Sequence, residues 1–394
     1  MARSNFVVGG QESSPQSFTA HTASQRCNKN KNTRMYNNGQ ISIKKLSSIE
    51  SIKHLWDSLV TDYYQTSEFS LHLEKYNKCF QRYYTLYDRN NLMAGAIVYT
   101  LPINLLTFSK KKLTLPMNVI GVAVSVDSSG LIGDSAYYDT LIDHIIKNEK
   151  GIILCLNYES KLNQHRLIQL NALPTFIVKH HFVDFNLYLN KMRHPYRRRV
   201  IQAMKYFEDV VKTTELCSSF TDEHYTLYLN IMKKSKTQLE VLSKDFFKNL
   251  PENFTLTSYY NKKKELIIWH ITCEYKDVYS FLFGGINYEK RDEYHAYYNN
   301  LIGIIKEGIV KGYKTINLGQ TAEVPKMRLG GERISKKMFI YHRNSLVRFI
   351  LKVFKKQLEH KGNSETLKVF KNEYTICSSG TTGRDHRVAA CNDC

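Results

Sequence analysis

Proline is scarce, at 7 of 394 residues, and no apolar run reaches the roughly 18 uninterrupted residues of a membrane-spanning helix. The longest, "LMAGAIVYTLPINLL", is broken by Pro102, so no transmembrane segment is expected. The eight cysteines (Cys27, Cys79, Cys155, Cys217, Cys273, Cys377, Cys391 and Cys394) form no dense framework, which fits reduced thiols and a cytoplasmic protein. Walker A, Rossmann, nucleophile-elbow and HExxH patterns are all missing, which argues against those nucleotide-binding, hydrolase and zincin chemistries. Cys391 and Cys394 make a lone CxxC near His386, but structural zinc takes four ligands in paired spacing, so no metal site is expected.

Acid is also short. Lys and Arg number 56 against 36 Asp and Glu, a formal net charge of +20. Such a field attracts phosphates, tRNA, an acidic carrier protein or an anionic membrane surface. The opposing reading is a Lys-rich solvated surface. With 42% hydrophobic and 12% aromatic residues, the chain can bury a large core, and its length suggests about two domains.

Residues 1–40 are polar and aperiodic and are expected to be a disordered tail, with a transit peptide as the minor alternative. From Ile41 the pattern becomes regular, with Ile49, Ile52, Leu55, Trp56 and Leu59 on one helical face. "YYTLYDRNNLMAGAIVYT" predicts a hairpin turning at Arg89-Asn90-Asn91, and "LTSYYNKKKELIIWHIT" predicts a second at Asn261 to Lys264. Each follows a helical segment, which suggests two halves built on one plan. Between them, Pro195 opens a helix carrying Val200, Met204 and Phe207 on one side and Arg197, Arg198, Arg199 and Lys205 largely elsewhere. A basic amphipathic helix of this kind suits an acidic partner, or simply a solvated face. The later order is strand ("VYSFLFGGINY"), helix ending at Gly312, strand ("KTINLG"), loop and strand ("KKMFIYHRN").

The run "FGGINYEKRDEYHAYYNNLIGIIKEGIVKGYKTINLGQTAEVPKMRLGGE" resembles the core of the BioF2-like, GNAT-fold N-acyltransferases, relatives of the FemAB/FemX aminoacyltransferases. Gly284, Gly285, Tyr297, Tyr298, Gly312, Asn317, Gly319, Lys326 and Gly330 fill the matching positions, and "YLNKMRHPYRRRVIQAMKYFED" resembles the family's junction helix. The likeness covers about residues 45–345 and is strongest after 180. The glycine-rich turn that binds CoA pyrophosphate in many GNAT proteins is absent from "NYEKRDEYHAYYNN".

The resemblance implies an α/β fold of tandem GNAT-like domains, each a mixed, largely antiparallel sheet flanked by helices. The expected boundaries are 41–190 for the N-terminal domain, 191–376 for the C-terminal acyltransferase domain, and a disordered tail over 377–394. The implied activity is transfer of an acyl group from a thioester, acyl-CoA or acyl carrier protein, to a small-molecule or peptide amine by direct attack, with no permanently bound cofactor. Gly284 and Gly285 would let the donor approach the backbone. Tyr297 or Tyr298 would protonate the leaving group, Asn317 and Gly319 would end a strand where it parts from its neighbour, and His270 would serve as base if it faces the cleft. Glu323 is an alternative base. Lys326 and Arg328 would line the cleft mouth and hold phosphate or carboxylate. Two other readings stand beside this one: a FemX-like enzyme using aminoacyl-tRNA, and a non-catalytic module binding nucleic acid or anionic membrane.

Overall fold

The computed structural model describes residues 41–106, 113–158, 167–235, 240–362 and 366–371. Both expected tails, and the Cys391/Cys394 pair, lie outside these residues.

The described residues begin with β1 (Ile41–Leu46) and two short helices, α1 (Lys53–Asp57) and α2 (Ser67–Tyr76). The expected apolar face between Ile49 and Leu59 is divided between a 3-10 turn and α1. Trp56 is fully buried on it, whereas Leu55 is exposed because a five-residue helix presents its apolar side only briefly. Thr66 caps α2 by accepting from the Phe69 amide. The predicted hairpin follows as β2 (Arg82–Asp88) and β3 (Asn91–Asn104), joined by a two-residue turn in which Arg89 takes φ +54°. Then come β4 (Thr114–Ile120), the short β5 (Leu131–Gly133), α3 (Tyr138–Asn148), β6 (Ile152–Tyr158), β7 (Ile168–Asn171) and β8 (Thr175–Lys179).

The second half repeats the plan. After α4 (Phe185–Lys191) and the Pro195-led α5 (His194–Lys205) come β9 (Val211–Leu216), α6 (Asp222–Lys234) and α7 (Lys244–Lys248). The second predicted hairpin is β10 (Phe254–Tyr260) and β11 (Leu266–Tyr275), extended by β12 (Val278–Ile286). Helix α8 (Ala296–Val310) ends at Gly312 with φ +80° and leads to β13 (Thr315–Asn317). Next are α9 (Glu323–Arg328), β14 (Glu332–Ile334), β15 (Lys337–His342), α10 (Ser345–Val353) and α11 (Lys355–Leu358).

In each half four antiparallel strands lead to one parallel partner reached through a helix. The first sheet runs β1-β2-β3-β4-β6 with α3 between the parallel pair β4 and β6; the second runs β9-β10-β11-β12-β13 with α8 between β12 and β13. The fold is thus mixed α/β with two mixed sheets in tandem. The sheets do not part at residue 190, because two strands cross over. β8 pairs with β13 and β14 in the second sheet, and β15 pairs with β6 and β7 in the first. A single apolar cluster joins Trp56, Tyr83 and Leu154 of one half to Phe247, Trp269 and Leu282 of the other.

Glu149, at the C-cap of α3, ties that helix to β1 and β2. It accepts from Arg82 at 2.7 and 2.8 Å, from Lys45 at 2.9 Å and from the Tyr84 hydroxyl. Burial alone would raise its pKa, but these hydrogen bonds, Arg82's foremost, hold the carboxyl down at about 2. Because the folded value lies below the unfolded one, the stabilisation is full above about pH 4.5 and is lost as pH falls toward 2. Glu149→Gln is expected to cost about 2–3 kcal/mol at neutral pH in denaturant titration, with the deficit shrinking in acid.

Candidate active site

β12 and β13 run parallel for three residue pairs, Val278 to Ser280 against Thr315 to Asn317, and then part. The parting is local chemistry. Gly319 takes φ +71°, which favours glycine, and its amide is accepted by the Asn317 side chain at 2.8 Å. No described strand pairs with that edge of β12 beyond Ser280. The gap continues into a cavity of about 310 Å³ lying between the halves. Its wall is mostly apolar, with Met117 and Leu154 from the first sheet, Phe281 to Ile286 from β12, and Leu318 beyond β13.

The polar residues of the lining include Asp127, Asn157, Asn300 and Gln320. Asp127 lies on a loop clamped from several sides. Ser125 donates to Glu240 through its amide (2.8 Å) and its hydroxyl (3.0 Å), Ser128 donates to Asp62, and Asn157 donates to the Val126 carbonyl (2.8 Å). Asp127 itself accepts from Asn317 Nδ2 at 2.9 Å, and Gln320 donates to Asn157 at 3.1 Å, so both contacts cross between halves. Burial pushes the Glu240 carboxyl up to about 7, and burial together with the Asp127 charge raises Asp62 to about 6.

Lys326 was expected at the cleft mouth. It is instead buried, because α9 turns inward after Ala322 and sends the ammonium group beneath the loop, where it donates to the Gly319 carbonyl at 3.1 Å and to that of Gln320. Burial lowers its pKa to about 7 despite the nearby Asp127 and Glu323 carboxylates. Arg328, two residues on, is the exposed member of the pair. It meets Arg199, Lys205, Tyr206, His295 and Tyr298 in a second, open, cationic pocket at the start of α8. Arg199 thus joins Arg328, while Arg198 is exposed and Arg197 half-buried outside that lining. The Tyr298 hydroxyl is buried with no hydrogen-bond partner among the described residues; burial pushes it up to about 12 against the pull of Arg199 and Arg328. Tyr297, on the next face of α8, lines the apolar cavity.

His270 does not face the cavity. It is fully buried behind Asn300, with Nδ1 at 2.7 Å from Asn300 Oδ1, and burial lowers its pKa to about 4, which keeps it neutral. Strand alternation explains this: β11 turns His270 toward α8 and Trp269 toward α6. Gly285 is explained by packing, since a Cβ there would lie 2.1 Å from the Trp269 indole nitrogen; at Gly284 it would lie 2.8 Å from the Trp269 carbonyl. Both glycines line the cavity. Glu323 is taken up by His360 at 2.9 Å and Arg333 at 3.5 Å. Asp127 was missed from sequence because "VAVSVDSSG" reads as an ordinary loop; Asn300 could have been noticed as one of an Asn299-Asn300 pair leading into the apolar run "LIGII" of α8.

No family model matches the chain, and neither does any curated protein. Among solved structures it is similar to FemX, at 12% identity over 78% of this chain and 100% of that one, with a TM-score of 0.47. It is also similar to L-PGS from Bacillus licheniformis (9%, 79% and 97%, TM-score 0.45). A third is a tandem GNAT protein from the clavulanic acid biosynthesis pathway (6%, 76% and 98%, TM-score 0.43). The chemistry of the site rests on this chain's own residues.

The Lys326 environment makes a specific prediction. Its folded pKa of about 7 lies below the unfolded value near 10.5, so the folded chain binds fewer protons between them and stability rises with pH through that window. Lys326→Met lacks this slope. Between about pH 7 and 9, wild type is expected to gain about 2 kcal/mol on the variant in urea unfolding, and parallel pH curves would refute the assignment.

Proposed function

We propose that the protein is an N-acyltransferase that moves an acyl group from a thioester donor, acyl-CoA or acyl carrier protein, to an amine within one ternary complex. The observation that carries this reading is the parting of β12 from β13 over a largely apolar cavity with a polar patch in its lining. The unpaired edge of β12 would accept the donor's amide-bearing arm as an added strand, and its amides would meet the carbonyl oxygen as it gains charge. The apolar wall suits an acyl chain.

Asp127 is the proposed proton acceptor. The amine nitrogen attacks the thioester carbonyl carbon, the carbon–sulfur bond breaks, and the thiolate leaves. The ammonium proton passes to Asp127, which releases it to solvent. The leaving thiolate accepts a hydrogen bond from the Tyr297 hydroxyl in the cavity lining, which burial keeps protonated, and takes its proton from solvent. Tyr298, Arg199 and Arg328 would hold a donor phosphate in the cationic pocket, in place of the missing glycine-rich turn. Lys326 and Asn317 act as positioning residues that set the Gly319 turn, and His270 orients Asn300.

A second reading, aminoacyl-tRNA as donor, is favoured by the cations of that pocket together with exposed Arg198, outside its lining on the same helix. Transfer assays with acyl-CoAs, loaded carrier proteins and aminoacyl-tRNAs separate the two. Asp127→Asn is expected to lower kcat about a hundredfold while leaving the melting temperature nearly unchanged. An undiminished rate would remove Asp127 from the chemistry. Turnover with aminoacyl-tRNA alone would favour the second reading, and turnover with no donor would favour a non-catalytic binding module.

A further inference from the structure

Helix α10, "SLVRFILKV", is apolar on two sides. One side packs inward through half-buried Val347 and buried Leu351, continued by Leu358 of α11. The other carries Leu346, Phe349, Ile350 and Val353, which stand at i, i+3, i+4 and i+7 and share one face. These four are 65%, 63%, 45% and 61% exposed, and Phe354 beside them is 47% exposed. Exposed apolar side chains gathered this closely mark an interaction surface more often than isolated ones do.

The charges around this face indicate what covers it. Arg343, Lys352, Lys355 and Lys356 are exposed around it, and no acidic residue occurs from 343 to 358. An apolar stripe on a short helix, bordered by cations alone, matches the boundary between anionic headgroups and acyl chains. A partner protein's apolar groove would satisfy the stripe but leave the cations unmatched. The same segment also contributes to the cavity wall, through Met338 and Ile340 of β15 and Leu358 of α11.

We propose that α10 and α11 seat the protein on an anionic lipid surface. Leu346, Phe349, Ile350 and Val353 enter the headgroup–acyl boundary, and Lys352, Lys355 and Lys356 meet the lipid phosphates. The proposal is independent of the transferase reading, since it rests on a surface and not on turnover.

The test is co-sedimentation of the full chain with vesicles of phosphatidylcholine alone and of phosphatidylcholine mixed with phosphatidylglycerol, at low and high salt. Wild type is expected to bind the mixed vesicles, more weakly at high salt. F349S/V353S leaves the charge unchanged and alters exposed positions only; it should weaken binding about tenfold or more at an unchanged melting temperature. K352E/K356E should lose binding as well. Absence of wild-type binding, or equal binding by F349S/V353S, would overturn the proposal. So would a lipid-free dimer that F349S/V353S converts to monomer, because a second copy would then cover the face.

Discussion

A parallel strand pair that stops after three residues is the constraint on which the site depends. Wherever two strands part, backbone groups that would have bonded to each other need other partners. On the β13 side the protein supplies them itself: the Gly319 amide donates to the Asn317 side chain, the Gly319 carbonyl accepts from the Phe176 amide of β8 as well as from Lys326, and the Gln320 carbonyl accepts from Lys326. The facing edge of β12 opens onto a cavity. One side of the gap is therefore held rigid from within, and the other is available to a ligand.

The strand exchange gives that gap a second wall. With β8 in the second sheet and β15 in the first, the halves are laced together, and the cavity takes lining from both. The loop bearing Asp127 belongs to the first half yet reaches Asn317 of the second, and Gln320 of the second reaches Asn157 of the first. The first half thus helps line the cavity and contributes the Asp127 carboxylate to that lining.

Electrostatics divide the region sharply. Around the cavity, burial moves Lys326 and His270 down and Asp62 and Glu240 up, in each case toward the neutral form. Around the pocket at the start of α8, and on α10 and α11, the cations are exposed to water. An interior that favours neutral groups suits an uncharged reacting amine, while the exterior cations attract anions. The two environments abut along α8, where Tyr297 faces one and Tyr298 the other.

Local rules made much of the fold legible. Turn residues at Arg89-Asn90 and Asn261–Lys264, alternating strands, a proline-led helix and Gly312 after α8 act within a few residues of chain, and each stands where the sequence implied. The Gly319 turn two residues after β13 belongs with them, as does the two-halves plan. By itself the sequence determined these elements and their order, because backbone conformation and periodicity are short-range. Only the tertiary structure decided which of Lys326 and Arg328 faces water, that His270 stands behind Asn300, that Asp127 lines the cavity, and that β8 and β15 change sheets. Those outcomes depend on which distant segments pack together, and burial, strand partner and proton affinity are properties of that packing.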